Sequence, residues 1–349
     1  MKRIYMPLAA GFRIGVALRT AAYRRGWLAT RHLDRPVVSV GNLSVGGTGK
    51  TPFVAFLAEL LMKRGRKPSI LTRGYGRRAG ADLIAIDPAE RDGRAPDARE
   101  VGDEPALLAR KLPEIPIIVG ADRYRAGRLA EDKFNVDVHI LDDGFQHFAL
   151  ARAADIVLLD VTQELSDSEL MPAGRLREPC AALGRAHWVG LTRTELADSR
   201  RTEERVREIN SKAGIFNCST KLQAVMDISR GKIDGPQAVL DGPAYAFCGI
   251  GNPPAFFADL GEWGFSVAAR AKYPDHHVYL PDEITRLVAH AREAGAKALL
   301  TTEKDALNIP PMGKTEIPIF ACVIKTEVRE ADAFAEALIE RLGTAKVNF

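Results

Sequence analysis

The sequence has few cysteines, and the four that it contains are scattered. Cys180, Cys218, Cys248 and Cys322 form no Cys-x-x-Cys pair. A zinc site or a disulfide framework is therefore not expected, and a reducing cytoplasm fits this pattern best. The class of metallochaperones is disfavoured for the same reason, because it would require clusters of cysteine and histidine.

The chain also lacks an apolar run that approaches the roughly 18 residues of a membrane-spanning helix. Residues 1–33 contain no acid, and Arg13 interrupts the apolar stretch that a signal peptide would need. The basic residues of this segment are Lys2, Arg3, Arg13, Arg19, Arg24, Arg25 and Arg31. Since apolar and aromatic residues lie between them, two interpretations stay open. The segment is either an amphipathic helix on an anionic bilayer surface or an ordinary helix packed on the protein.

What the sequence does contain is an alternation of short apolar runs and helical patterns. With 349 residues, 46% of them hydrophobic, the chain is long enough for about two packed domains. The alternation predicts an α/β protein with a mainly parallel sheet and helices on both faces. The predicted strands of the first part are 36–40, 69–72, 115–119, 138–142, 156–160 and 188–192. The predicted helices between them are 52–64, 104–112, 123–134 and 202–211.

The pattern changes near 221–225, and glycine and proline punctuate the chain as far as Pro243. A second α/β series follows, with strands at 244–248, 298–302 and 317–324 and helices at 254–263, 281–294 and 330–342. We therefore predict a basic segment at 1–33, a P-loop domain at 34–225 and a smaller lobe at 226–349. The hinge is expected near 221–243, and the last strand and helix belong either to the second lobe or to the first.

The strongest motif is the glycine-rich segment that follows the first strand and opens a helix. It comprises Val45, Gly46, Gly47, Thr48, Gly49, Lys50 and Thr51. In this context glycines let backbone N–H groups surround phosphate oxygens, the lysine reaches the terminal phosphates, and the threonine hydroxyl can bind Mg²⁺. Ser44 replaces the usual first glycine, and Val45 stands where MinD-like ATPases have an extra lysine. The loop therefore predicts a nucleoside triphosphate site of an atypical kind.

A second motif, at 140–147, ends a strand with adjacent carboxylates. Its sequence is Ile-Leu-Asp-Asp-Gly-Phe-Gln-His, so that Asp142 and Asp143 come where the strand ends. In P-loop enzymes an aspartate at this position holds Mg²⁺, directly or through water. Because ligands of open α/β sheets bind at the carboxyl edge, we interpret these aspartates as part of the same site.

Several other short segments are rich in polar residues, and the first three of them also contain glycine. They are 72–77, 102–105, 174–179, 275–277 and 301–305. A phosphoryl-transfer enzyme needs a group that orients or deprotonates the acceptor, and Asp103 and His276 are candidates. It also needs cations for the charge of the transition state, and the candidates are Arg73, Arg77, Arg175 and Arg177.

These segments, in this order, resemble the tetraacyldisaccharide 4′-kinase (lipid A 4′-kinase) family over nearly the whole chain. The resemblance implies transfer of the γ-phosphate of ATP to the 4′-hydroxyl of tetraacyldisaccharide 1-phosphate. The product would be lipid IVA, an intermediate of lipid A biosynthesis in Gram-negative bacteria. It further implies dependence on Mg²⁺ and two α/β/α lobes with the active site between them.

The resemblance also implies roles for matching positions. Lys50 and Thr51 would serve the phosphates and Mg²⁺, while Asp103 would activate the acceptor hydroxyl with His276 as its partner. Which of these two takes the proton stays open. The implied catalytic set is completed by Asp142, Asp143 and Arg177. The implied metal ligands are Thr51, Asp143 and Glu178. The residues assigned to the substrate are Arg73, Tyr75, Gln146 and His147.

A tetraacylated sugar stays in a bilayer, so the resemblance favours the membrane interpretation of residues 1–33. We expect peripheral attachment to the cytoplasmic face of the inner membrane, a monomer, and no nucleic-acid partner. The competing hypotheses are another P-loop protein with a soluble substrate and a nucleotide-gated membrane-binding protein. A GTPase is disfavoured because no Asn-Lys-x-Asp motif is present, although Thr302–Asp305 is similar.

Overall fold

The computed structural model describes residues 2–75, 77, 81–91, 96–165, 170–239 and 241–344. Helices α1 to α10 span Lys2–Arg24, Lys50–Lys63, Ala98–Val101, Asp103–Lys111, Arg123–Lys133, Arg200–Ile209, Pro253–Glu262, Pro281–Glu293, Glu303–Ala306 and Ala331–Thr344. Strands β1 to β7 span Val37–Asn42, Pro68–Thr72, Leu83–Ile86, Ile117–Gly120, Val138–Asp142, Ala154–Asp160 and Trp188–Thr192. Strands β8 to β13 span Gly214–Asp227, Lys232–Asp234, Ala244–Cys248, Val267–Lys272, Ala298–Thr302 and Ile319–Val328.

The strands of these described segments form one 13-stranded sheet. Its order is β11-β10-β12-β13-β8-β7-β6-β1-β5-β2-β4-β3, and β9 pairs with β8 off this path. Neighbours are parallel except at the β3–β4 edge, at β9, and where β13 meets β8. We call β1–β7 with α2–α6 the P-loop half, and β10–β12 with α7–α9 the second half.

Alternate residues of the central strands face two different layers of helices. Val38 and Val40 pack with α2 and α4, whereas Val37 packs with α5. Because successive side chains of a strand point to opposite faces, both faces of β1 are covered. Every residue of β1 is buried accordingly, as expected for a strand inside a parallel sheet.

The two halves are joined by a ribbon of two long strands. β8 pairs with β7 through Gly214–Cys218 and continues antiparallel to β13 as far as Asp227. The hinge is predicted near 221–243, and residues 221–227 of this range form the second part of β8. The ribbon is partly exposed, so that it lacks the continuous apolar run of the buried strands.

The last helix lies on the P-loop half. Phe334 packs against Phe216 of β8, with ring centroids 4.6 Å apart, and against Phe53 of α2. Arg341 donates a hydrogen bond to the carbonyl of Ala153, just before β6. Of the two placements that the sequence left open for this helix, the structure has the one on the first part of the chain.

Helix α1 packs on the P-loop half along one side only. Ala9 is buried, Phe12 packs beside the core, and the ring of Tyr23 lies 5.5 Å from that of Phe148. Large apolar residues on the remaining surface of this segment are exposed, namely Tyr5, Met6, Leu8, Ile14, Leu18, Trp27 and Leu28. In the described ranges, we find no helix whose length and apolar character would let it cross a membrane.

Candidate active site

The phosphate loop connects the carboxyl end of β1 to the start of α2. Gly46 and Gly49 have φ angles of 113° and 80°, a region that L side chains rarely adopt. Gly49 caps α2, so the first turn of that helix carries Lys50 and Thr51. The free N–H groups and the dipole of this helix end favour a bound phosphate.

Three side chains fix the phosphate loop by hydrogen bonds to it. Asn42 donates a hydrogen bond to the Thr48 hydroxyl at 3.0 Å, and the Thr192 hydroxyl donates to the Thr48 carbonyl at 3.2 Å. Arg193 donates to the Gly47 carbonyl at 3.1 Å and pairs with Asp160. Sequence reasoning missed Arg193, which has a φ of 62° at the end of β7. No motif marks it, because its role depends on β7 lying near the loop.

Asp143 lies between two cations beside the phosphate loop. Its carboxylate is 3.4 Å from Lys50 Nζ and accepts hydrogen bonds of 2.7 and 2.9 Å from Arg177. Burial alone would raise the pKa of Asp143, but Lys50 and Arg177 outweigh it and hold that pKa below its usual value. The residue has a φ of 51°, which is uncommon outside glycine and often marks functional sites.

The neighbouring Asp142 has the opposite electrostatics. It is buried at the end of β5, and the Thr72 hydroxyl donates a hydrogen bond to it at 3.1 Å. Burial, followed by repulsion from Asp143, raises the pKa of Asp142 to about 6. Ionising this carboxylate is therefore unfavourable when no cation is nearby. A raised pKa of this kind is typical of a buried metal ligand or of an acid–base group.

The predicted magnesium ligands line one cavity, although their side chains are not already arranged around one metal position. Thr51, Asp142, Asp143 and Glu178 all contribute to its wall. Within the described residues, no group of three or more acidic, histidine or cysteine side chains could hold a metal. Glu178 is buried and accepts a hydrogen bond of 2.7 Å from Arg185. The hydroxyl and carboxylate oxygens fit Mg²⁺, which usually completes its octahedron with water and phosphate oxygens.

The acceptor-activating candidates come together across the two halves. Asp103 is the first residue of α4, and His276 lies in the segment between β11 and α8. His276 Nδ1 is 2.9 Å from Asp103 Oδ2, and Asn308 donates a 3.0 Å hydrogen bond to the same oxygen. His276 has a left-handed backbone with a φ of 60°. Two other non-glycine residues that line the cavity, Asp143 and Arg193, also have a positive φ.

The two groups shift each other's pKa in the manner of an ion pair. The hydrogen bond to Asp103 raises the pKa of His276. Burial raises the pKa of Asp103, but His276, Asn308 and Lys304 together bring it below its usual value. The charged forms of both groups are thus favoured, as expected for a carboxylate–imidazole pair.

The residues assigned to the substrate have different surroundings. Arg73 lies over the ring of Tyr75 and donates a hydrogen bond to its hydroxyl at 3.0 Å, and both line the cavity. Gln146 also lines the cavity and donates to the Asn42 carbonyl at 2.9 Å. His147 is half-buried, and burial together with Arg123 lowers its pKa to about 4. It is therefore neutral at pH 7.

A cavity of about 900 Å³ is lined by most of these groups, although its wall includes neither Asp103 nor His147. Its wall includes Lys50 and Asp143 from the P-loop half and His276 from the second half. At another side it is lined by α1, through Phe12, Gly15, Val16, Arg19 and Thr20. The buried Arg123, which sequence reasoning also missed, lines the same space. A triphosphate and a second substrate that reaches in from the α1 side would meet here.

Comparison with known proteins agrees with this arrangement. The family model described as "Tetraacyldisaccharide-1-P 4'-kinase" matches residues 1–343. Proteins named tetraacyldisaccharide 4'-kinase from Koribacter versatilis and Geobacter metallireducens are 41% and 39% identical, over 96% and 95% of this chain and 97% and 95% of theirs. A crystal structure of LpxK from Aquifex aeolicus in complex with ATP has a TM-score of 0.76 and 30% identity, covering 98% of this chain and 99% of that one. The predicted α/β P-loop fold is thereby confirmed, and the chain belongs to the tetraacyldisaccharide-1-P 4'-kinase family.

Proposed function

We propose that this protein transfers the γ-phosphate of ATP to the 4′-hydroxyl of tetraacyldisaccharide 1-phosphate, giving lipid IVA for lipid A biosynthesis. The observation that carries the proposal is that one cavity contains both Lys50 of the phosphate loop and His276 of the Asp103–His276 pair. A protein that only binds and hydrolyses nucleotide has no need of such a pair between its two halves. The names of the related proteins support the choice of acceptor.

The nucleotide would bind with its phosphates in the loop from Val45 to Thr51. Backbone N–H groups at the start of α2 would contact the phosphate oxygens, and Lys50 would reach the terminal phosphates. Mg²⁺ would be held through Thr51, Asp143 and Glu178, with Asp142 beside it. When bound, the ion neutralises charge on the phosphate oxygens. Its presence would also offset the cost of ionising Asp142.

For the transfer itself, Asp103 provides the proton acceptor. Its Oδ2 is already used by His276 and Asn308, so Oδ1 is the oxygen left for the substrate hydroxyl. The 4′-oxygen attacks the γ-phosphorus, the bond to the bridging oxygen breaks, and ADP leaves. The hydroxyl proton passes to Asp103, and His276 stabilises the carboxylate until that transfer.

The cations around the cavity would stabilise the charge that spreads over the transferred phosphoryl group. Arg177 is 2.7 Å from Asp143 and close to the phosphate loop, which suits this task. Arg73, Tyr75, Gln146 and His147 would position the disaccharide. Since His147 is neutral at pH 7, it can hydrogen-bond sugar hydroxyls without adding charge.

Helix α1 would place the cavity at the membrane. Its exposed apolar side chains, its arginines and its contribution to the cavity wall suit a helix that lies in the interfacial region of an anionic bilayer. The acyl chains could then remain in lipid while the sugar enters the cavity. We propose a monomer that is peripheral to the cytoplasmic face of the inner membrane. Residues 34–225 and 226–349 would act as two lobes around the substrates, with α10 of the second segment packed on the first lobe.

The test is to incubate the purified full chain with ATP labelled in its γ-phosphate, Mg²⁺ and detergent-dispersed tetraacyldisaccharide 1-phosphate. We expect the label in a bis-phosphorylated lipid, and we expect its formation to require the disaccharide. Release of labelled inorganic phosphate without labelled lipid would contradict the proposal. That outcome would favour a nucleotide-gated membrane-binding protein instead.

A further inference from the structure

The second half contributes one more charged group to the acceptor site, Lys304. This residue lies in the short helix α9, which directly follows β12. The helix is fixed by Asp305, which accepts hydrogen bonds from the Gly249 N–H, the Tyr279 hydroxyl and the Thr302 hydroxyl. Lys304 itself is mostly buried, with 19% of its side chain exposed. Its position is therefore determined by the fold.

The ammonium group of Lys304 has three partners, one for each of its N–H groups. Nζ lies 3.1 Å from Glu104 Oε1, 3.2 Å from Asp275 Oδ1 and 3.3 Å from His276 Nε2. Glu104 belongs to the P-loop half, whereas Asp275 and His276 belong to the second half. An ammonium group can only donate hydrogen bonds, so each partner must present a lone pair.

This geometry favours one tautomer of the neutral His276 imidazole. If Nε2 accepts a hydrogen bond from Lys304, the imidazole is neutral and its proton is on Nδ1. That proton points to Asp103 Oδ2, which is 2.9 Å away. The result is a chain that runs from Lys304 through His276 to Asp103, with each member donating to the next.

We propose that Lys304 is a positioning residue that directs the Nδ1 proton of His276 to Asp103 and opposes a second proton on Nε2, so that Asp103 remains free to accept the substrate proton. This inference rests on the function proposed above, because it assumes that Asp103 is the base. Lys304 need not touch either substrate for this role.

The charged groups that face His276 determine what the removal of Lys304 would do to the pKa of His276. They are Asp103 and Glu104 from α4, Asp275 from the preceding position and Lys304 from α9. Lys304 is the one cation of this group and opposes protonation of the imidazole, whereas the three carboxylates favour it. Without Lys304 the imidazole would hold its second proton to higher pH. Asp103 would then face an imidazolium and be a weaker base.

The experiment compares kcat against pH, between about pH 5.5 and 9.5, for the wild-type enzyme and three variants in one detergent assay. Lys304→Met removes the charge and the hydrogen bonds, and Lys304→Arg keeps the charge. Lys111→Met is the matched control, since Lys111 is also mostly buried, with 13% of its side chain exposed, and also lines the cavity between the halves. It pairs with Glu303 at 2.7 Å and donates to the Ile324 carbonyl, and no contact with His276 is found among the described residues.

We expect Lys304→Met to move the acid limb of the kcat profile up by about one pH unit, with about tenfold loss at pH 7 and partial recovery at high pH. The KM for ATP should change little, and Lys304→Arg should keep the wild-type limb. Lys111→Met should lower activity without moving the limb. If Lys304→Met is active and the acid limb of its kcat profile is not shifted, the proposal is overturned. Lys304 would then only form ion pairs that connect the two halves.

A second measurement does not depend on turnover or on the stability of a variant. Long-range ¹H–¹⁵N correlation spectra of the wild-type protein report the tautomer of His276, whose signals are assigned by their loss in His276→Gln. We expect protonated Nδ1 and unprotonated Nε2 at about pH 9, where the imidazole is neutral. The opposite tautomer, or an imidazolium, would overturn the inference even if the enzyme is fully active. An inactive wild-type enzyme with the expected tautomer would count against the proposed function alone.

Discussion

The phosphate loop and the acceptor cluster are built in different ways. The loop, Val45–Thr51, is one contiguous segment, and its supports come from β1 itself and from the end of β7, which lies two strands away in the sheet. The acceptor cluster consists of Asp103, His276, Lys304 and Asn308, which are up to 205 positions apart in the sequence. One of its residues comes from the P-loop half, and three come from the second half.

This difference suggests how the two regions divide the work. A loop fixed within one half can bind a triphosphate whatever the second half does. The cluster exists only when the halves meet, so that proton transfer can depend on their closure. Binding of ATP and transfer of its phosphate should therefore be separable by substitution.

The largest effect is expected from breaking the acceptor cluster alone. Asp103→Asn removes the proton acceptor but keeps its shape, so kcat should fall by about 10³-fold, within the range for a general base. The affinity for ATP, measured by calorimetry without lipid, should stay within about threefold, because Asp103 does not belong to the phosphate loop. If ATP binding falls as far as turnover, the two regions are not independent.

The complementary change damages the nucleotide region. Lys50→Met should lower kcat by about 10²-fold, since a cation next to the transferred phosphate is lost. It should also weaken ATP binding, and it leaves Asp143 with Arg177 as its partner. The His276 tautomer, followed by NMR, should not change in this variant. An altered His276 spectrum would show that the loop and the cluster are coupled before any substrate binds.

A third prediction contrasts two adjacent carboxylates within the nucleotide region. The pKa of Asp142 is raised to about 6, so this group lowers the free energy of unfolding as the pH rises through 6. Asp142→Asn should therefore stabilise the ligand-free protein at pH 8, by up to about 3 kcal/mol, and by much less at pH 4.5. Its activity should nevertheless fall.

Asp143 provides the matched control, because its pKa is lowered by Lys50 and Arg177. Its ion pairs stabilise the fold above the usual carboxyl pKa and are lost as the pH falls through the lowered value. Asp143→Asn should accordingly destabilise the protein at pH 8. Denaturant titrations at both pH values distinguish the two cases, and a loss of stability at pH 8 in both variants would refute the contrast.

The smallest effect concerns a third region, the surface of α1. Ile14 and Leu18 are 60% and 65% exposed, and replacing both with serine should weaken binding to anionic vesicles by about tenfold or more. Activity on fully detergent-dispersed substrate should change little. Ile233→Ser is the control, since Ile233 is 61% exposed but lies far along the chain in β9. Equal loss of vesicle binding in control and double variant would contradict a membrane role for α1.

The sequence predicts the first of the two main regions better than the second. The strand–loop–helix context of Val45–Thr51 and the Asp142–Asp143 pair are local patterns, because the motif and its flanking periodicity lie within a few residues. Asp103 follows a glycine and His276 lies in an Asp-His-His segment, so both attract attention as polar groups, although their contact depends on folding over a long distance. The resemblance to a family, and not the spacing, made them partners.

Other features were out of reach for physical reasons. Arg193 and Arg123 donate hydrogen bonds to backbone carbonyls. A single arginine after a strand belongs to no sequence pattern that predicts such a contact. The second part of β8 and the edge strand β11 are partly exposed, so that neither shows a buried apolar run. The partners of Lys304 come from three separate segments, and the motif Thr301–Asp305 does not reveal them.

The most direct test uses two acceptors that differ in one atom. Tetraacyldisaccharide 1-phosphate and its 4′-deoxy analogue would each be incubated with the enzyme, Mg²⁺ and ATP labelled in the γ-phosphate. We predict that the first becomes a bis-phosphorylated lipid with the new phosphate at the 4′ position, as located by tandem mass spectrometry, and that the analogue takes up no label. Equal labelling of both lipids, or labelled inorganic phosphate as the main product in both cases, would contradict the account.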